Sequence, residues 1–529
     1  MIDAIVENAQ IYNGSDAVPI RTDLAIVGDR IALLCDLSDR DAYERIDGTA
    51  LVLAPGFIDV HSHSDELWLA DGRCEGKIRQ GVTTEIAGNC GTSVAPLRGE
   101  AERRKAGEAR DVGVELAWRE FDEFFDIVER SGVALNVASF VGLGTTRRAV
   151  RGDLEGRLDD DELAAECALV RASIERGALG VSSGLIYVPS RYADERELLA
   201  CAIAARDAGM PRYASHLRSE GDDLLAAVDE ALSIAEAADV AVQFSHHKAA
   251  GKKNWGKVDR TLDAIANARA RGISANADVY PYVAMWTDLD TILPEDALFG
   301  GPDAALARLA DPETAVALAL RLQLERADEW HDIQISTVAS ERNAHLAGMR
   351  LDDVAAMWRL SPPRAALRLL VEERLAIQAI FFAMTEPDVA TVLSAGFTSI
   401  GSDASARAFD GPTAVGVPHP RTFGTFPRVF GRYVRGRRTL EIGEAIRRMT
   451  SLAADQFGIA DRGRIVPGAF ADLVLFDAEK IVDTATYERP FSWPLGVEAV
   501  WVNGRAVVRD GVPTGARPGR ALRGGRSRA

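Results

Sequence analysis

Residues 53–65 read LAPGFIDVHSHSD: a Pro-Gly turn inside an apolar run short enough for a buried strand, then two histidines, His61 and His63, at its end. Side chains two apart on a strand face the same way. The chain holds eight histidines in 529 residues, so two on one face at the close of a buried run mark that end as a place where chemistry is done.

Seven further runs have the same texture, an apolar strand closed by polar or small residues. They are GVTTEIAGNC, ALNVASFVG, GALGVSSGLIY, RYASHLRS, VAVQFSHH, GISANADVYPY and FTSIGSDAS. Between them lie Ala- and Glu-rich stretches with helical periodicity, such as DELAAECALVRASIERGA and DDLLAAVDEALSIAEAA. Strands alternating with helices predict a parallel sheet with crossover helices, and eight such units close into an α/β barrel, (β/α)8.

The two ends of the chain differ from this middle. Residues 1–55 and 463–529 carry short alternating runs broken by Asn-Gly, Gly-Asp and Asp-Gly turns, the signature of antiparallel strands. They predict one small β-sandwich built from both termini, with the barrel over 56–462. Residues 285–350 fit none of the eight units and read as an insertion after the seventh strand, a lid over the mouth. The runs IQISTV and LAIQAIFFAMT also stand outside the barrel count.

Composition narrows the function. A net charge of -18 argues against a protein that neutralises nucleic-acid phosphates. The one basic cluster, the tail GARPGRALRGGRSRA, reads as a solvated end. Five cysteines without paired spacing make no disulfide framework and suit a reducing cytoplasm. The N-terminal MIDAIVENAQIYNGSD lacks the basic and apolar regions of an export signal, and no apolar run is long enough to span a membrane.

In a barrel of this kind, active sites sit at the C-terminal ends of the strands. The polar residues closing the eight runs include His61, His63, Cys90, His216, His246, His247 and Asp403. Singly, each has a structural explanation: a capped histidine, a small buried thiol, a turn aspartate. Together, imidazoles, a thiolate and a carboxylate gathered on successive strand ends are a donor set that zinc accepts. Within the pair His246-His247, alternation turns one ring to the site and the other away; His246 is taken as the ligand and His247 as a residue supporting it.

The motifs GFIDVHSHSD, GVTTEIAGNCG, GALGVSSGLIYVPS, ASHLRSEGDD, FSHHKAAGKKNWGK, DVYPY, IGSDAS with HPRTFGTFPR, and IVPGAFADLVLFD together resemble the D-aminoacylase (N-acyl-D-amino-acid deacylase) branch of the amidohydrolase superfamily over nearly the whole chain. The resemblance implies a metal-dependent barrel flanked by a β-sandwich. It implies that Cys90, His216 and His246 hold one tightly bound zinc, with His61, His63 and Asp403 at a second, weaker position and Asp403 as the catalytic acid and base. The substrate is then a small molecule, an N-acyl-D-amino acid, with Tyr187 and Lys248 as candidates for holding its α-carboxylate.

Two positions depart from the family pattern. Trp286, in VAMWTDLD, stands where relatives carry small hydroxyl residues, and Leu143 where relatives commonly carry histidine. With no cation in VAMWTDLDTILP, the pocket around Trp286 is expected to take hydrophobic side chains. Two alternatives remain: a cyclic-amide hydrolase of the hydantoinase or dihydroorotase kind, whose carboxylated lysine has no counterpart in GALGVSSGL, and a metal-free binding scaffold, which requires lost ligands where none is lost.

Overall fold

Eight parallel strands close the central barrel of the computed structural model, which describes residues 1–524 apart from Asp16 and Asp328. They are Phe57–Asp59, Val82–Ala87, Asn136–Ser139 continued by Val141–Gly142, Val181–Gly184, Arg212–His216, Ala241–Phe244, Ala275–Val279 and Thr398–Ile400. Each falls inside one of the eight apolar runs. The ladders among them are parallel. The ring closes where the eighth strand meets the first: Ser62 bridges Ala404, and the Asp403 N–H donates to the His61 carbonyl at 2.8 Å.

These strands are buried on both faces, as a barrel wall between a packed lumen and a helical jacket must be; all six residues of Val82–Ala87 are buried. The helices follow from the same sequence logic. Asp159 and Glu162 form a reciprocal cap that starts the helix Asp160–Glu175, and Leu163, Cys167, Val170 and Ile174 make its buried stripe.

The two chain ends meet in one nine-stranded sheet. Ile2–Ile11, Ile20–Val27, Arg30–Cys35, Ala42–Asp47 and Val52–Pro55 join Leu473–Phe476, Val497–Val502, Arg505–Arg509 and Val512–Pro513. The sheet curls until its third strand touches the chain ahead of Leu473–Phe476, with Ile31 N–H on Ala469 O and Ala471 N–H on Asp29 O, both at 2.9 Å. Val6, Leu24, Ile26, Leu53, Leu473 and Trp501 fill the interior between its two halves.

Two expectations are corrected. The inserted unit does not end near 350. Its antiparallel sheet is Met285–Asp288, Ile377–Phe381 and Ile333–Val338, with the strand latest in sequence at its centre. That strand must be included for the unit to satisfy its backbone, and Leu289, Leu322, Ile335, Leu370 and Phe381 share one core separate from the barrel's. The runs IQISTV and LAIQAIFFAMT are two of its strands.

The basic tail is not a free solvated end: residues 519–524 dock onto the barrel. Gly519, Leu522 and Gly524 donate backbone N–H groups to Val133 O, Val137 O and Gly177 O at 2.7 to 2.9 Å. Arg523 pairs with Asp126 and Glu129, and Arg520 with Asp29. Backbone carbonyls at the barrel's N-terminal end and nearby carboxylates give this segment partners that its composition alone does not reveal. Residues 525–529 lie outside the described residues. Among the described residues no helix is long and apolar enough to cross a membrane.

Candidate metal centre

At the C-terminal mouth the chain turns abruptly after three strands. Cys90, His246 and Asp403 take left-handed backbone conformations, with φ of 53°, 38° and 50°. Such φ is unfavourable for residues bearing a Cβ and persists where surrounding contacts impose it. The contacts are visible: the His246 N–H donates to Asp278 Oδ1 at 2.7 Å, and Asp403 is pinned to His61 O.

All six expected metal residues converge. His61 Nε2 and His246 Nε2 each lie 3.3 Å from Cys90 Sγ, and His216 Nδ1 lies 2.9 Å from His246 Nε2. His63 Nε2 is 3.0 Å and His61 Nε2 3.5 Å from Asp403 Oδ1. The donor atoms of His61, Cys90 and His246, of His61, His63 and Asp403, and of His216, Glu220 and His246 form triples in which all atoms lie within 4.8 Å. Imidazole nitrogens packed against a thiol, a carboxylate and one another are held within hydrogen-bond distance at a single point. That donor set fits a divalent cation, and its chemistry suits zinc.

The electrostatics prepare these donors. Burial alone raises the Cys90 thiol, but the positive charges of His61 and His246 outweigh it and hold the thiol well below its ordinary range, favouring thiolate. Burial keeps His216 low and hence neutral at pH 7. Burial also opposes ionisation of Asp403, yet Arg421 first and His246 next hold its carboxyl well below the usual range.

Two carboxylates behind the cluster set the ring orientations. Asp278 Oδ1 accepts from His61 Nδ1 at 3.1 Å, and Glu220 Oε1 lies 3.0 Å from His246 Nδ1, so both rings present Nε2 to Cys90. Neither residue was singled out from sequence. Glu220 stood four positions after His216 in ASHLRSEGDD, and Asp278 inside NADVYPY, with no spacing rule to flag either.

Arg421 was also missed as a site residue, although HPRTFGTFPR contains it. It is 1% exposed, donates from Nη2 to Asp403 Oδ2 at 3.0 Å, and leaves Nε and Nη1 without partners among the described residues. Those two buried donors are a ready seat for an anion beside Asp403.

The other expected residues are placed as follows. The Tyr187 hydroxyl meets Thr287 Oγ1 at 2.7 Å, and its ring edges against His216 at 5.0 Å. Lys248 pairs with Glu220 and lies 2.8 Å from His246 Nδ1, so its charge already has a partner. Trp286 sits at the mouth with its indole N–H unpartnered. His247 is corrected: its ring bonds Thr261 Oγ1 at 2.7 Å on the outer helix Lys257–Ala270 and does not support the cluster. The turn after the strand Ala241–Phe244 carries it outward, and burial pushes its pKa down to about 4.

A parallel barrel whose mouth gathers imidazoles, a buried thiolate and an aspartate defines the class of metal-dependent barrel hydrolases. The chain belongs to the Amidohydrolase family (Amidohydro_3), whose profile matches residues 44–508. It is 36% identical over 521 residues to the D-aminoacylase of Alcaligenes xylosoxydans xylosoxydans, covering 98% of this chain and 97% of that one. It is also 36% identical over 526 residues to the N-acyl-D-glutamate deacylase of the same organism, covering 99% and 96%. Among solved structures, it resembles the N-acyl-D-glutamate deacylase of Bordetella bronchiseptica complexed with zinc and a phosphonate mimic of the tetrahedral intermediate, with a TM-score of 0.84, 33% identity and 99% of each chain covered.

Proposed function

We propose that the protein is a zinc-dependent deacylase that hydrolyses N-acyl-D-amino acids to a carboxylate and a free D-amino acid. The observation that carries this reading is the juxtaposition at one mouth of the Cys90 and histidine cluster, the ionised Asp403 and the unpaired donors of Arg421. Cys90, His216 and His246 are the residues to hold the tight zinc, and His61, His63 and Asp403 to form a second, weaker position. When bound, zinc supplies Lewis acidity toward the amide carbonyl and lowers the pKa of a coordinated water.

The chain's own residues do the rest. Asp403 accepts a proton at its carboxylate from the attacking water as the new C–O bond forms, and returns it to the amide nitrogen as the C–N bond breaks. Arg421 holds the substrate α-carboxylate through Nε and Nη1, which fixes the amide relative to Asp403. Its third nitrogen, already on Asp403, ties recognition to the catalytic carboxylate. The fourth strand, Val181–Gly184, offers no lysine to carry a bridging carbamate, which weighs against the cyclic-amide alternative. Five free cysteines, one of them at the metal cluster, suit a reducing cytoplasm.

The test is a paired screen. Zinc-loaded protein is assayed with N-acetyl-D- and N-acetyl-L-amino acids, hydantoin and dihydroorotate. Turnover of the D series alone is the expected result. Failure to turn over any linear D substrate while retaining stoichiometric zinc overturns the reading.

A further inference from the structure

Six arginines are buried among the described residues. Five have a carboxylate partner: Arg147 with Glu197, Arg148 with Asp153, Arg421 with Asp403, Arg448 with Glu444 and Arg462 with Asp472. Arg407 is the exception. It is 9% exposed, and no acidic group acts on it to offset its burial, which lowers its pKa only to about 10. It therefore stays charged at neutral pH.

Its position makes that charge meaningful. Arg407 follows Asp403 by four residues, and its Cζ lies 5.2 Å from the centroid of the Trp286 ring. The same ring lies 5.8 Å from the Cζ of Arg421. Two guanidinium groups thus share one indole at the mouth, one of them already beside the catalytic carboxylate. Arg407 is also held in place: its Nε donates to Ser405 Oγ at 3.3 Å, its Nη1 to Val415 O at 2.9 Å, and its carbonyl accepts the Gly76 N–H at 2.8 Å. Gly76 must lack a side chain here, because a Cβ would come within 2.6 Å of that carbonyl. Nη2 donates no hydrogen bond among the described residues.

A buried cation without a counterion is unfavourable unless a ligand supplies one. We propose that Arg407 is the specificity-determining residue of this site, binding the side-chain carboxylate of an acidic substrate, an N-acyl-D-aspartate or N-acyl-D-glutamate, while Arg421 binds the α-carboxylate. The proposal rests on the deacylase reading of the same mouth. The substrates it names present two anions joined by a short methylene spacer, suited to two guanidinium groups that both lie within 6 Å of the centroid of one indole. The sequence alone suggested hydrophobic side chains because VAMWTDLDTILP holds no cation; Arg407 comes from the loop after the eighth strand. The carboxylate on the Trp286 strand, Asp288, accepts from Gln378 Nε2 at 3.4 Å and makes no ion pair with Arg407 among the described residues.

The experiment compares kcat/KM of zinc-loaded protein for N-acetyl-D-glutamate, N-acetyl-D-aspartate, N-acetyl-D-leucine and N-acetyl-D-lysine, in wild type, Arg407→Gln and Arg407→Lys. Wild type is expected to favour an acidic substrate by about 10²-fold over leucine. Arg407→Gln is expected to lose about 10²-fold on the acidic substrates, mainly through KM, while leucine turnover stays within about threefold. Arg407→Lys should recover part of the acidic preference. A wild-type preference for leucine or lysine overturns the proposal, as does an equal loss on all substrates in the glutamine variant. Thermal shift of the wild type by free D-glutamate against D-leucine gives a reading independent of variant folding; equal shifts count against the proposal. If no D substrate is turned over at all, it is the deacylase reading that fails.

Discussion

Asp403 has three neighbours with different roles: His63 and His61 on one oxygen and Arg421 on the other. Its low pKa keeps it ionised, which suits a base that must be ready before substrate arrives. Asp403→Asn preserves the shape and removes the proton acceptor, so kcat should fall by about 10³-fold, with zinc at the tight position retained by elemental analysis. Near-normal turnover in that variant would remove Asp403 from the reaction. Cys90 is the complementary case, proposed as a metal donor rather than a base. Cys90→Ala should lower zinc content and weaken activity in proportion, with activity partly restored by added zinc; unchanged stoichiometry would make the thiol a packing residue.

The turns that follow the strands, rather than the strands themselves, aim the donors. Cys90, His246 and Asp403 share a left-handed backbone that no periodicity rule anticipates. The turn after the second strand needs room: a Cβ on Gly184, in the fourth strand, would lie 2.0 Å from the Cys90 carbonyl. Gly184→Ala should therefore displace Cys90, destabilise the fold by about 1–3 kcal/mol and reduce zinc content, whereas Gly107→Ala, on an outer helix with open space around it, should do neither. Thermal melts and metal analysis of the two variants check this. Strand identity was legible because each buried run is apolar and closed by polar residues. Asp278 and Glu220 were not, because a carboxylate that orients a histidine is defined by where its oxygen lies.

Across the whole molecule, the chain ends serve the barrel. The tail runs along strand Asn136–Ser139, where Ala521 bridges Val137 and the side chain of Asn136 accepts the Arg520 N–H at 3.2 Å. Removing residues 515–529 should lower the thermal midpoint by several degrees while leaving zinc content and kcat near wild type, since the contacts lie at the end of the barrel opposite the metal cluster; an unchanged midpoint would show that the tail adds no stability. The sequence by itself determined the eight-strand barrel, the joining of both termini in one β domain and the convergence of six candidate ligands. Each follows from hydrophobic period and from residue type at strand ends, which are local properties. Only the tertiary structure decided the length of the inserted unit, the docking of the basic tail, the outward turn of His247, and the presence of Arg421 and Arg407 at the mouth. These depend on pairings between residues tens to hundreds of positions apart, where a charge or carbonyl finds its partner only once the barrel has closed.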